Sequence, residues 1–191
     1  MTKAEALKIL EELKNSPNMV KHALACGFVM KDLCIKFSKG NYNHSEPLDE
    51  EDWEIVGLLH DADYELTGKS LDRHTEETAK KLKEKNVDQS LIDAIRGHCD
   101  KASRTSLMAK AIYAADELTG LIVAAALVQP DKKLKSVTVE SVQRKFKDKS
   151  FAAGANRDQI RTCESELNIP LEEFVSIVLK SMQDNAKELG L

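Results

Sequence analysis

The chain contains 191 residues, the length of one domain or of one domain with an extension. Its 8 Gly and 4 Pro are roughly half of the usual share of these residues, which disfavours an architecture of short strands and turns. Charged residues make up 31% of the chain and the formal net charge is −4. This composition argues against an intrinsically disordered chain and against a protein that binds nucleic acid over its whole surface.

No segment has the length of a membrane span or the character of a secretion signal. The longest apolar run, residues 121–128, is far shorter than the roughly 20 residues that a transmembrane helix needs. The N-terminal segment is charged and amphipathic. The four cysteines form no CxxC pair, and Cys26 and Cys34 lie in apolar helical stretches, which predicts buried reduced thiols. We therefore expect a cytoplasmic protein that does not contact a membrane.

Apolar residues recur at helical spacing along most of the chain. They predict a first helix from about Ala6 to Leu13 and a second that starts at Pro17 and includes Ile35. Further helices are predicted up to about residue 60 and over about 71–85, 88–98, 105–128, 138–147, 156–167 and 170–188. Residues 39–48 have the composition of a loop, and residues 136–139 fit either a short strand or a helix.

The histidines and two aspartates carry the main functional signal. His60 and Asp61 directly follow the apolar run 55–59, and Asp116 lies inside the apolar stretch that begins at Ile112. A buried carboxylate needs a partner because an unpaired buried charge costs several kcal/mol, and a metal ion is one such partner. His44 has Asn, Ser and Pro around it and is interpreted as a solvated loop residue without function.

The order His22, His60–Asp61, His74, His98 and Asp116 resembles the HD-domain superfamily of metal-dependent phosphohydrolases, whose members are all-helical. The segment 94–98 followed by Ala115–Asp116 is similar to the HDIG-type branch that hydrolyses diadenosine tetraphosphate with two metal ions. The resemblance covers about residues 17–128. It implies an all-α HD-domain helical bundle in a single domain over 1–191, with a helical C-terminal extension at about 129–191.

The resemblance also implies a ligand set. His22, His60, Asp61 and Asp116 would hold one metal, and Asp61 would bridge to a second metal bound by His74 and His98. Imidazoles and carboxylates together suit Fe, Mn, Co or Zn better than Mg or Ca, which prefer oxygen alone. Two such ions would polarise the phosphoryl group and hold a bridging hydroxide, so that no protein nucleophile is needed. Asp61 is thereby a catalytic candidate as well as a ligand.

The sequence departs from this family directly after the His-Asp pair. Many members carry a lysine there that meets the substrate phosphate, whereas Asp63 and Glu65 occupy this region here. Asp63 is a candidate general base or proton relay, and the alternative is that it caps or hydrogen-bonds the loop. Glu65 is a candidate for orienting a water molecule.

Cations elsewhere are candidates for phosphate binding. Lys101 and Arg104 follow His98 by a few residues, so we expect them to contact substrate phosphate, with solvated loop cations as the alternative. The segment 132–149 has seven Lys or Arg against Glu140 and Asp148. It could steer an anionic substrate, bind RNA, or serve as a solvated face.

The sequence thus predicts a metal-dependent phosphohydrolase that acts on a small phosphorylated metabolite, most simply a nucleotide, through a metal-bound hydroxide. One alternative is a non-catalytic HD module that binds a metal or nucleotide and signals to a partner. Another is a nucleic-acid-binding protein that uses the segment 132–149, which the small number of aromatic residues there disfavours. The substrate, the metal and the oligomeric state are left open.

Overall fold

A computed structural model describes residues 1–40 and 48–191. Over these residues the chain is all-helical, with no strand. The helices are α1 (Lys3–Glu12), α2 (Pro17–Lys39), α3 (Glu50–Leu59), α4 (Glu76–Glu84), α5 (Gln89–Gly97), α6 (Leu107–Leu127), α7 (Val139–Lys147), α8 (Arg157–Glu166), α9 (Leu171–Asp184) and α10 (Ala186–Leu189). A short 3-10 helix, Leu134–Ser136, precedes α7.

The centre of the bundle is formed by the two longest helices, α2 and α6. Helix α2 packs along α3 and also contacts α6 and α9, while α6 contacts α5 and α8. Gly57 allows α3 to approach α2 closely, because a Cβ at this position would lie 2.5 Å from the carbonyl oxygen of Cys26. This close approach places the C-terminal end of α3 beside the middle of α2.

The C-terminal helices pack onto this centre. Helix α8 lies on α6, where the Gln159 amide donates a hydrogen bond to the Tyr113 carbonyl over 2.9 Å. Helix α9 lies on α2, where Lys36 and Glu173 form an ion pair of 2.5 Å. The apolar side of α9 is buried with the rest of the core, so the extension and the first six helices share one interior.

The structure corrects the predicted start of the fourth helix. Helix α4 begins at Glu76 instead of 71 or 72, and residues 61–69 and 71–75 form turns. The reason is that the carboxylate of Asp63 accepts the backbone N–H groups of Thr75 and Thr78, which fixes the first turn of α4 from a distant part of the chain.

Residues 136–139 contain no strand. Thr138 instead starts α7, with its hydroxyl accepting the Ser141 N–H over 3.2 Å. His44 and most of the predicted loop 39–48 lie outside the described residues. Within the described part of the chain, no helix has the length and apolar character needed to cross a bilayer.

Candidate metal centre

Five segments of the bundle bring the six predicted ligands together. Helices α2 and α6 carry one ligand each in their interiors, α3 and α5 each deliver one at the C-terminal end, and the remaining two lie in the turns between α3 and α4. In chain order the residues are His22 (α2), His60 (end of α3), Asp61 and His74 (turns between α3 and α4), His98 (end of α5) and Asp116 (α6). All six contact another member of the set.

One half of the centre is formed by His22, His60 and Asp116. The Nε2 atoms of the two histidines are 3.2 Å apart, and they lie 3.1 Å and 3.4 Å from Oδ1 of Asp116. Oδ2 of Asp61 is 3.7 Å from Nε2 of His22 and 3.8 Å from Nε2 of His60. Ligand atoms that share one ion at about 2.0–2.2 Å are separated by roughly 3.0–3.6 Å, so these atoms have nearly the spacing of a coordination shell.

The other half uses the second oxygen of the same aspartate. Oδ1 of Asp61 lies 3.0 Å from Nε2 of His74 and 3.2 Å from Nε2 of His98. These two Nε2 atoms are themselves 3.0 Å apart. Asp61 therefore presents one carboxylate oxygen to each half, which is the arrangement expected of a bridging ligand.

Each imidazole is oriented by a partner on its far side. The Nδ1 atoms of His60 and His98 donate to the carbonyl oxygens of Gly57 and Ile95 within their own helices. Nδ1 of His22 lies 3.4 Å from the hydroxyl of Thr119, which donates to the Asp116 carbonyl and is thus free to accept. A proton on Nδ1 leaves the lone pair on Nε2, the atom that faces the centre, and partners of this kind strengthen metal ligation.

The fourth imidazole, His74, has the buried carboxylate of Asp63 as its partner. Nδ1 of His74 is 3.0 Å from Oδ1 of Asp63, and this same carboxylate accepts the backbone N–H groups of Thr75 and Thr78 over 2.7 Å and 3.0 Å. Burial raises the pKa of Asp63, but these hydrogen bonds outweigh burial and hold its pKa below the ordinary value. Asp63 is fully buried and lies behind His74, away from the open side of the centre.

The carboxylates of the centre are in their ionised, metal-binding form. Burial raises the pKa of Asp61, but the charge of His60 and hydrogen bonds from His74 and His98 outweigh it and hold the pKa well below its usual range. The same balance of burial against the imidazoles lowers the pKa of Asp116. Burial alone would lower the pKa of His60, but nearby Cys26, Asp61 and Asp116 raise it to about 10. Without a metal ion, the protonated imidazole of His60 balances these carboxylates, and a divalent cation bound there would take the place of its proton.

Two thiols lie beside the centre, one at each half. Cys26 Sγ is 3.9 Å from Nε2 of His22 and 3.4 Å from the Thr119 hydroxyl, and Cys99 lies near His74 and His98. Their positions go beyond the sequence prediction of buried reduced thiols. The position of Cys26 could have been predicted, because a residue four positions after His22 lies on the same face of α2.

Glu65 and the predicted phosphate ligands are engaged in contacts within the protein. Glu65 accepts the backbone N–H of Ser16 over 2.7 Å and its hydroxyl over 2.9 Å, at the start of α2. The ammonium group of Lys101 donates to the carbonyl oxygens of Asp72 and His74 over 2.7 Å and 2.6 Å.

Arg104 also contacts groups of the protein. Its guanidinium lies 3.6 Å from the centre of the Tyr113 ring and pairs with Asp100 and Glu166. Neither Lys101 nor Arg104 is among the residues that line the cleft above the metal centre.

This cleft has a volume of about 660 Å³ and is lined by five of the six ligands, all but His60. Several of its other lining residues were not identified from the sequence: Met19, Tyr64, Leu71, Glu117, Asn156 and Gln159. Asn156 and Gln159 come from the start of α8, so the C-terminal extension contributes to the cleft. Only the packing of α8 on α6 brings them there, and no local pattern in the sequence indicates it.

The donor set fits divalent transition metals, because it combines imidazole nitrogens with carboxylate oxygens. A comparison with protein families matches the HD domain over residues 19–121, which is more than half of the chain. Searches of curated proteins and of solved structures found no match. The matched region contains the six converging ligands, and HD domains typically act as metal-dependent phosphohydrolases. The chain belongs to the HD domain family.

Proposed function

We propose that this chain is a metal-dependent phosphohydrolase with two metal ions, acting on a small phosphorylated metabolite. The observation that carries the proposal is the position of Asp61, whose two oxygens face different groups of imidazoles at 3.0–3.8 Å. A purely structural metal site is closed by its ligands. Here the ligands line an open cleft of about 660 Å³, which leaves space for a substrate.

His22, His60 and Asp116 would hold one ion, and His74 and His98 the other, with Asp61 shared. Ions bound there would supply Lewis acidity toward the phosphoryl oxygens and an activated water molecule. Asp63 would act as a positioning residue that fixes the ring of His74, because both of its oxygens already accept hydrogen bonds.

The charge of the cleft favours substrates with few phosphates. Asp61, Asp100, Asp116 and Glu117 line it, and no Lys or Arg is among the described lining residues. The bound ions would therefore provide the attraction for phosphate, and each further phosphate would meet uncompensated repulsion. A nucleoside monophosphate or a similar monoester fits this electrostatic environment better than a diadenosine polyphosphate.

Metal content and phosphate release, measured on the same preparations, test the proposal. The protein would be stripped with chelator, reloaded with Mn, Fe, Co or Zn, and assayed with nucleotides and other phosphate esters. We expect two equivalents of metal and metal-dependent phosphate release. Asp61→Asn should reduce both, since the amide removes the bridging charge.

Asp32→Asn is the matched control, because Asp32 lies on α2 outside the cluster and its substitution changes the net charge by the same amount. Metal binding and nucleotide binding without turnover of any ester would instead favour the signalling module. Full activity of the metal-free protein would refute the proposal.

A further inference from the structure

A second cavity, of about 410 Å³, lies beside the metal cleft between α2, α6 and the last residues of the described chain. Its walls are mainly aliphatic, formed by Ala25, Val123, Leu127, Leu189 and Leu191. A volume of several hundred Å³ with apolar walls is typical of sites for small molecules. Leu127 is 50% exposed, so this apolar surface is open to solvent.

The cavity adjoins the metal cleft. His22 and Gly120 line both spaces, so a molecule with one end at the metal centre would extend into the apolar cavity past these two residues. Gly120 lies inside α6, where glycine is less favourable than alanine for helix stability. A Cβ at Gly120 would meet no atom within 4 Å, so packing does not require glycine here. The missing side chain leaves the junction between the two spaces open.

Much of the cavity lies outside the region that this chain shares with its family. Leu127, Leu189 and Leu191 follow the matched residues 19–121. Apart from His22, the polar residues that line the cavity are Asn18 and Lys21, which both belong to the exposed surface of α2. The cavity is therefore built partly by residues outside the matched region.

We propose that this cavity binds an apolar ring group of the substrate while its phosphate lies at the metal centre. This inference rests on the proposed phosphohydrolase function. A nucleobase and an aryl group share the required chemistry, because each presents an apolar ring face to aliphatic walls. A substrate that has only a sugar next to the phosphate would leave the apolar walls uncovered.

The experiment compares three monoesters with the metal-loaded protein: adenosine 5′-monophosphate, 1-naphthyl phosphate and ribose 5-phosphate. We expect the wild type to prefer one of the two ring esters over ribose 5-phosphate in kcat/KM, and the preferred ester identifies the ring group. Leu127→Asp should reduce that preference by about tenfold, because it places a charge in the apolar wall. Gly120→Leu, which fills the junction, should reduce it as well.

Val128→Asp is the matched control. Val128 is adjacent to Leu127 and 58% exposed, but it does not line the cavity. It should leave the preference and the metal content unchanged. An equal loss in Val128→Asp and Leu127→Asp would overturn the inference, as would a wild type that shows no preference for either ring ester.

Calorimetric binding of the same esters separates this inference from the proposed function. If no ester is hydrolysed, but a ring ester binds more tightly than ribose 5-phosphate and Leu127→Asp removes the difference, the function is wrong and the cavity assignment stands. Hydrolysis of all three esters with equal efficiency would leave the function intact and remove the role of the cavity.

Discussion

At the scale of single residues, the carboxylates after the His-Asp pair have separate roles in the structure. Asp61 faces the imidazoles of both halves of the centre, whereas Asp63 faces the far side of His74 and Glu65 faces the start of α2. The two acids that depart from the family pattern are thus held in contacts between segments. Their positions indicate that they stabilise the geometry of the ligands, with the chemistry left to Asp61 and its partners.

Substitution of Asp63 distinguishes positioning from proton transfer. Asp63→Ala removes the acceptor for His74 and for two buried backbone N–H groups, so we expect a loss of stability of about 1–3 kcal/mol and weaker binding of one metal equivalent. Chemical denaturation and metal analysis measure these effects. A general base would behave differently: activity would fall while stability and metal content stayed at wild-type values.

Lys101 provides a second test at this scale. Its ammonium group binds two carbonyl oxygens of the segment that delivers His74, and only 18% of its side chain is exposed. We expect Lys101→Met to lower the free energy of unfolding by about 1–3 kcal/mol, because charged hydrogen bonds to the backbone are lost. The KM of Lys101→Met for the best substrate should be compared with that of the wild type. A raised KM with unchanged stability would assign Lys101 to substrate phosphate after all.

At the scale of helices, the centre depends on how closely α2 and α3 approach each other. His22 lies in the second turn of α2 and His60 at the end of α3, and their Nε2 atoms are 3.2 Å apart. Gly57 is one turn before His60, and its carbonyl orients that ring. A helix contact and a metal ligand are therefore fixed by the same short segment.

Gly57→Ala should separate the two helices. The new Cβ would lie 2.5 Å from the Cys26 carbonyl oxygen, so the backbone must shift, and we expect a loss of about 1–3 kcal/mol in stability together with weaker metal binding. Gly120→Ala is the control for stability, since its Cβ meets no atom within 4 Å. It should stabilise the helix by up to about 1 kcal/mol. Equal effects of the two substitutions on unfolding would contradict this interpretation.

The helices also show what the sequence can and cannot predict. Apolar periodicity predicts most of them, including α2 and α6, because each buries a continuous apolar face. The predicted start of α4 was wrong because Asp63, a residue distant in sequence, accepts the N–H groups that a local cap would otherwise bind. Likewise, Asn156 and Gln159 reach the cleft only because α8 packs on α6, and a linear pattern contains no information about that packing.

At the scale of the whole molecule, metal binding should couple most of the bundle. The six ligands come from α2, the end of α3, the segment before α4, the end of α5 and α6, so no part of the chain can form the centre without the others. The unfolded chain has no such arrangement of donors, and a metal that binds only the folded state stabilises it in proportion to its affinity and concentration.

We therefore expect the unfolding temperature to rise with added Mn²⁺ or Zn²⁺ and to fall again with chelator. At a free metal concentration one hundred times the Kd, the free energy of unfolding should increase by about 2.7 kcal/mol per site. Calorimetric unfolding across a metal titration measures it, with Asp61→Asn losing most of the gain because its bridging charge is absent from both halves. Asp32→Asn should retain the full gain. An unfolding temperature that does not depend on metal in the wild type would mean that the ligands form their arrangement without binding an ion.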